Sequence, residues 1–157
     1  MSEKEIFFEL IKAKRCIEDV AMQPLLNDIE YFQEETDKLL NIIEKWFENT
    51  SIECYKLEHP LTEGKQKTVC YKVSSLLMIN GDKCLHIMPI ALYGMSGVKG
   101  CLLATLHQPN HATTFFELKL NDRQTNDADW SIIDSLTPER KVPFDEENFF
   151  KRILPLA

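Results

Sequence analysis

The sequence predicts an α+β domain: an N-terminal helical hairpin with one long helix, an antiparallel sheet of about five to six strands in a meander, and a C-terminal helix. Three observations predict it. Apolar residues recur at helical spacing from Ile6 to Trp46. From Ser51 onward short runs with a period of two take over, and their short connections favour antiparallel neighbours. The chain then closes on a capped apolar helix beginning after Asp145.

The first helix is expected over 3–20. Ser2 with Glu5 forms a capping box, and Ile6, Leu10, Ala13, Ile17 and Val20 share one face. Pro24 suits the first turn of a separate second helix, 24–48, because its missing N–H would lack an intrahelical partner there. A single kinked helix is the alternative. The second helix carries the stripe Leu25, Ile29, Phe32, Thr36, Leu39, Ile43, Trp46, interrupted only by Thr36. Leu26, Leu40 and Phe47 widen it, with Gln33 polar among them. A stripe that wide suits packing inside a domain better than a two-helix seam with charged flanks.

The strands are expected at about 51–58, 68–79, 83–92, 98–107, 113–120 and 130–133. His59-Pro60 is expected to end the first, and Asn80-Gly81 is a strong hairpin signal between the next two. Thr113–Leu120 alternates cleanly, Phe116, Leu118 and Leu120 against Glu117 and Lys119. The acidic stretch 121–129 reads as a loop. In the last helix, 146–154, Asp145 is the N-cap and Phe144 can staple onto Phe149. Phe149, Phe150, Ile153 and Leu154 are its expected buried face, and Pro155 its stop. One domain covers the whole chain.

With Asn80-Gly81 as the hairpin loop, Ile79 faces Asp82, Leu77 faces Cys84 and Ser75 faces His86. One sheet face then carries Val69, Tyr71, Val73, Leu77, Ile79, Cys84, Met88, Ile90 and Leu92, and is the expected core. The other carries Leu76, Met78, Leu85 and Ile87, with Lys72 and Lys83 at its margin. A one-sided sheet should be polar there. Either the C-terminal helix or a loop covers this second face, or it is an interface with a partner, or it lines a ligand pocket.

Charge and composition narrow the function. The chain has 157 residues, 44% of them hydrophobic, and a net charge of −7, which disfavours binding to nucleic acid phosphates. No run is long and apolar enough for a membrane span, and the N-terminus has no leader pattern. The five cysteines are odd in number and lack a CxxC pair, as expected of a reduced, cytoplasmic chain.

Several clusters have chemistry-bearing residues without the spacing that chemistry needs. His107 and His111 are four apart, but Pro109 between them breaks the helix that would align them. Gly94, Gly97 and Gly100 surround Ser96 but lead into a strand, which suggests a hairpin connection with a bulge at Gly100. Asp122, Asp127 and Asp129 lack the spacing of a calcium loop. Glu34, Glu35 and Asp37 read as a solvated helix face, with Glu34 and Lys38 an i,i+4 pair. Cys84 and His86 share a strand face and, with Ser75, could line a small-ligand or hydrolytic cavity between helices and sheet.

No catalytic residue, metal site or cofactor is expected. The sequence reading is a non-catalytic protein-interaction module, chaperone-like or inhibitor-like, binding a protein partner or itself as a homodimer. Its expected contact is Leu76, Met78, Leu85 and Ile87, rimmed by Lys72 and Lys83.

Overall fold

A helix opens the chain and runs without a break from Glu3 to Trp46 (α1, 44 residues). The computed structural model describes residues 2–64, 68–94, 98–121, 130–134 and 137–157, with backbone alone at 17–20 and 137–139. Ser96, Gly97, Asp122, Asp127 and Asp129 lie outside the described residues.

The capping box forms as expected: the Glu5 N–H donates to Ser2 Oγ at 3.2 Å, and the Ser2 N–H to Glu5 Oε2 at 2.9 Å. Pro24 does not divide the helix, so the expected hairpin of two helices is replaced by one rod roughly 65 Å long at about 1.5 Å per residue. Proline removes one hydrogen bond and disfavours helix in the preceding residue. Here a side-chain bridge spans it, Gln23 Nε2 donating to Asn27 Oδ1 at 2.9 Å. The helix closes at Phe47, after which Asn49 takes a left-handed φ of 64° and Thr50 Oγ1 donates to the Phe47 carbonyl at 2.7 Å.

Seven strands follow in strict sequence order, each antiparallel to the next: β1 Glu53–Glu63, β2 Val69–Asn80, β3 Lys83–Ala91, β4 Cys101–His107, β5 Thr114–Leu120, β6 Trp130–Asp134 and β7 Thr137–Pro143. The meander is as expected, with one strand more than the sequence suggested. β1 continues through His59-Pro60, because a proline on an edge strand need forfeit no ladder bond. β7 is the unexpected strand. Its sequence, TPERKVP, is charged and bounded by prolines, which an outermost strand tolerates and a central one would not.

The β2–β3 turn is Gly81-Asp82, with Asn80 opposite Lys83. Gly81 alone takes the positive φ, 63°, so glycine stands first in the turn and Asn80 remains in the strand. Two cross-strand rows define the faces. Leu76, Ile87, Ala104 and Phe116 are aligned on one side; Tyr55, Leu77, His86, Thr105 and Phe115 on the other.

The first side is the interior. Leu76, Met78, Leu85 and Ile87 are 0% exposed and join one core cluster with Ile29, Phe32, Leu39, Leu40 and Ile43 of α1 and Phe149 near the C-terminus. Over residues 76–88 the expected core and outer faces are therefore exchanged, whereas Tyr71, Val73 and Leu92 of the expected core face are buried in the same cluster. Both alternate, and period two cannot say which side a helix will occupy.

The β2–β3 ladder ends at Leu76 and Ile87, and α1 bonds β2 beyond that point. Gln33 Nε2 donates to the Lys72 carbonyl at 2.9 Å, and Ser74 Oγ donates to Asp37. The bulge near the glycine run lies on β3, between Pro89 and Ala91, rather than at Gly100. Gly100 serves packing instead: a Cβ there would collide with the Phe32 ring.

The C-terminal helix, α2 (Glu146–Ile153), covers the end of the inner face. Asp145 caps it by accepting from the Asn148 N–H at 2.7 Å, and Phe144 meets Phe149 at 5.6 Å between ring centroids. Trp46 stacks on Phe144 and leans on Phe149 and Phe150, at 5.7–5.8 Å. Leu154, expected to be buried, is 71% exposed; Leu156 of the closing 3₁₀ turn Leu154–Leu156 is buried in its place.

Candidate interaction site

Residues 2–16 of the chain are all exposed. They form an arm of α1 that continues past the sheet, and it is not polar. Ile6, Phe7, Phe8, Leu10 and Ile11 are 45–65% exposed. At about 100° per residue these five side chains span more than half of the helix circumference, leaving Glu5, Glu9 and Lys12 on the opposite side. Among the described side chains of α1 the first buried one is Ile29, with Leu25 packed against the core before it.

A polar collar fixes the point where the arm leaves the body. Tyr93 OH donates to Asp28 Oδ2 at 2.7 Å, and Lys99 Nζ reaches the same oxygen at 3.2 Å while lying 5.3 Å over the Tyr93 ring. Burial, with the Asp28 carboxylate close by, pushes the Tyr93 hydroxyl up. The phenol is thus held as a donor.

The second exposed apolar area is the outer sheet face. Tyr55 and Phe115 end the central row at 46–47% exposure, and Leu57 adds a third exposed side chain on β1. Leu77, Ile79, Met88 and Leu103 are half-buried between them. Ser75, Cys101, Ser131 and Ile133, on the same face, are buried.

The residues expected to bind a partner divide differently from the sequence reading. Leu76, Met78, Leu85 and Ile87 lie under α1 and α2 and cannot reach a partner in the folded chain. Lys72 is exposed, 3.8 Å from Glu58. Lys83 holds the C-terminus, its Nζ donating to the Ala157 carbonyl at 2.9 Å beside Asn80, whose amide donates to the Leu156 carbonyl at 2.8 Å.

Ser75, Cys84 and His86 all stand at outer-face positions of β2 and β3. Ser75 is buried and opposite Leu57, whereas His86 is opposite Leu77, one residue pair away from the expected register. Cys84 and His86 point to the outer face, away from the space between helices and sheet. Burial holds the His86 imidazole below its ordinary value, with His59 and His107 adding to the effect. Its Nε2 is buried without a hydrogen-bond partner.

His107 and His111 are each engaged locally: His107 Nδ1 lies 3.1 Å from Thr113 Oγ1, and His111 Nδ1 2.8 Å from the Pro109 carbonyl. Asn110 between them takes a left-handed φ of 61°, so the segment is a turn. Among the described residues no three His, Cys, Asp or Glu side chains are placed to hold a metal ion. Lys38 pairs with Glu35 at 3.2 Å, an i,i+3 contact. All five cysteines are free thiols.

Sequence reasoning missed the arm as a site because Ile6, Leu10, Ala13 and Ile17 read as a buried stripe. A signal was present: Phe7, Phe8 and Ile11 lie off that stripe, making the segment apolar on more sides than one neighbour can cover. No helix of the described chain is long and apolar enough to cross a membrane. No protein-family model, curated protein or solved structure matches the chain.

Proposed function

We propose that this protein is an interaction module that works by binding protein, itself first of all, through exposed apolar surface. The observation that carries the reading is the arm: five large hydrophobic side chains are exposed on a stretch of α1 that supplies none of the described core. Exposed apolar patches of this extent mark contact sites. A capped helix beyond the body is also a costly thing to leave unpacked, since short helices gain most of their stability from packing an apolar face.

The outer sheet face supports the same reading. It presents Tyr55, Leu57 and Phe115 where a solvated antiparallel sheet would be polar. The acid excess of the chain keeps the free protein soluble and suits a partner with basic groups at its rim.

Light scattering over a concentration series tests the reading. The expected result is a mass rising from that of the 18.3 kDa chain to twice that value, with Phe7→Asp and Leu10→Asp together holding it at one chain. A constant single-chain mass for the wild type, together with unchanged solubility of the double variant, would overturn it.

A further inference from the structure

Resting on the self-association proposed above, we infer that the arms of two copies pair with each other as antiparallel helices, centred between Phe8 and Glu9. The partner of the exposed arm is then the same arm of a second copy of this chain.

The order of residues along the arm carries this inference. At about 100° per residue, Glu3, Phe7, Leu10 and Lys14 lie within about 60° of one another on the helix surface. Their steps of four, three and four are those of a seam between two paired helices. All four are exposed, and Ile6 and Ile11 border the line on its two sides at 45% and 49% exposure.

The line reads acid, apolar, apolar, base, so its two ends carry opposite charge. Glu3 and Lys14, Ile6 and Ile11, and Phe7 and Leu10 share a single midpoint, between Phe8 and Glu9. A second copy turned end for end about that midpoint sets Glu3 against Lys14 at both ends of the pair. Between them Phe7 of each arm meets Leu10 of the other. A parallel pair in register would instead set Glu3 against Glu3 and Lys14 against Lys14, two like-charge contacts.

The arm offers neither end a counter-charge of its own. Three and four residues along it from Glu3 stand Ile6 and Phe7, and from Lys14 stand Ile11 and Leu10. A second copy supplies both.

Space permits the pair. The partner's Ser2 comes level with Arg15, about 15 Å along the helix from Leu25, which packs against the core. Each arm therefore ends short of the segment of the other copy that packs on its own sheet. The half-turn that relates the copies closes the assembly at two. About 21 Å of helix is paired, a small interface, so the dimer dissociates on dilution.

Charge exchange, read by sedimentation equilibrium of the full chain, tests the antiparallel pair. Glu3→Lys and Lys14→Glu each turn two attractive end contacts into two repulsive ones, so each variant should dimerise about tenfold more weakly than wild type. Both changes in one chain restore opposite charges at each end, and that dimer should return to within about threefold of wild type. An equimolar mixture of the two single variants should form a heterodimer stronger than either homodimer. That comparison separates pairing from any fraying that Glu3→Lys causes at the helix start.

Zero-length coupling of carboxylate to amine tests the wild type without substitution. Along one helix Glu3 and Lys14 stand about 16 Å apart, too far to couple, so a link between them forms only between copies. That link is expected.

Single exchanges that leave the dimer as strong as wild type, or a dimer without the link, would overturn the antiparallel pair while leaving self-association through the arm standing. A wild type that is monomeric at every concentration, or an arm variant (Phe7→Asp with Leu10→Asp) that stays dimeric, would overturn both readings.

Discussion

Thr36 is the polar member of an otherwise apolar stripe, and it is fully buried with its hydroxyl unpartnered. Valine has nearly the same shape and no hydroxyl to desolvate. Thr36→Val should therefore stabilise the fold by about 1 kcal/mol, read as a higher urea midpoint at unchanged slope. Gly100 makes the opposite case. Its φ is not unusual, but the Phe32 ring occupies the place of a Cβ. Gly100→Ala should cost about 1–3 kcal/mol from overpacking, and Phe32→Leu in the same chain should recover part of the loss, a coupling that a double-mutant cycle measures.

His86 gives a pH dependence whose sign follows from its surroundings. Burial and the neighbouring His59 and His107 lower its affinity for a proton in the folded chain relative to the unfolded one. Its contribution is complete above the ordinary value of 6.5 and is lost as pH falls through the lowered folded value. Denaturant midpoints should drop below pH about 6.5, and His86→Leu should flatten that drop. An unchanged slope in the variant would show that other groups carry it.

The two halves of α1 should behave as two different helices despite their continuous backbone. The half from Ile29 to Phe47 is buried along one side, while the arm is exposed on all sides. In the monomer, arm amides should exchange with solvent faster than those of the packed half by orders of magnitude. Pro24→Ala restores an N–H and a favourable helix former, and should slow exchange in the turn around it without moving the core signals. α2 is short and depends on its anchors. Phe149→Ala, which empties a fully buried site among Trp46, Phe116, Phe144 and Phe150, should cost about 3–5 kcal/mol.

These elements differ in how far the sequence disclosed them. The Ser2–Glu5 box, the Asp145 cap and the Phe144–Phe149 staple were legible because each is closed within a few residues. β7 was not, since nothing local in TPERKVP favours a strand; pairing with β6 makes it one. The continuity of α1 through Pro24 was missed for a similar reason. The local penalty is real, but no competing structure is available to the residues on either side.

Under the proposed self-association, dimerisation and folding are linked. An association that forms only between folded chains makes the melting temperature rise with protein concentration. The arm variant should melt at a temperature independent of concentration, so the two dilution series should diverge. Truncation of 2–16 should give the same flat series and leave the signals of the sheet in place, because those residues contribute nothing to the core. Loss of the folded sheet on truncation would assign the arm a structural role instead.

The sequence by itself determined the class of every segment but β7: helix, then antiparallel meander, then a capped helix. Periodicity and caps are properties of a few neighbouring residues, so they need no tertiary context. It also determined the membership of the two hairpin faces, since moving the turn from Asn80-Gly81 to Gly81-Asp82 leaves both sets intact. Which of those faces is the core was decided only in three dimensions. Leu76, Met78, Leu85 and Ile87 compete with Leu77, Ile79 and Met88 on nearly equal hydrophobic terms, and the core takes the first set there while taking Tyr71 and Val73 from the second. Tertiary packing likewise decided that Ile29 is buried while Ile6 and Leu10 are not: the sheet accommodates the C-terminal half of α1 and leaves the arm exposed.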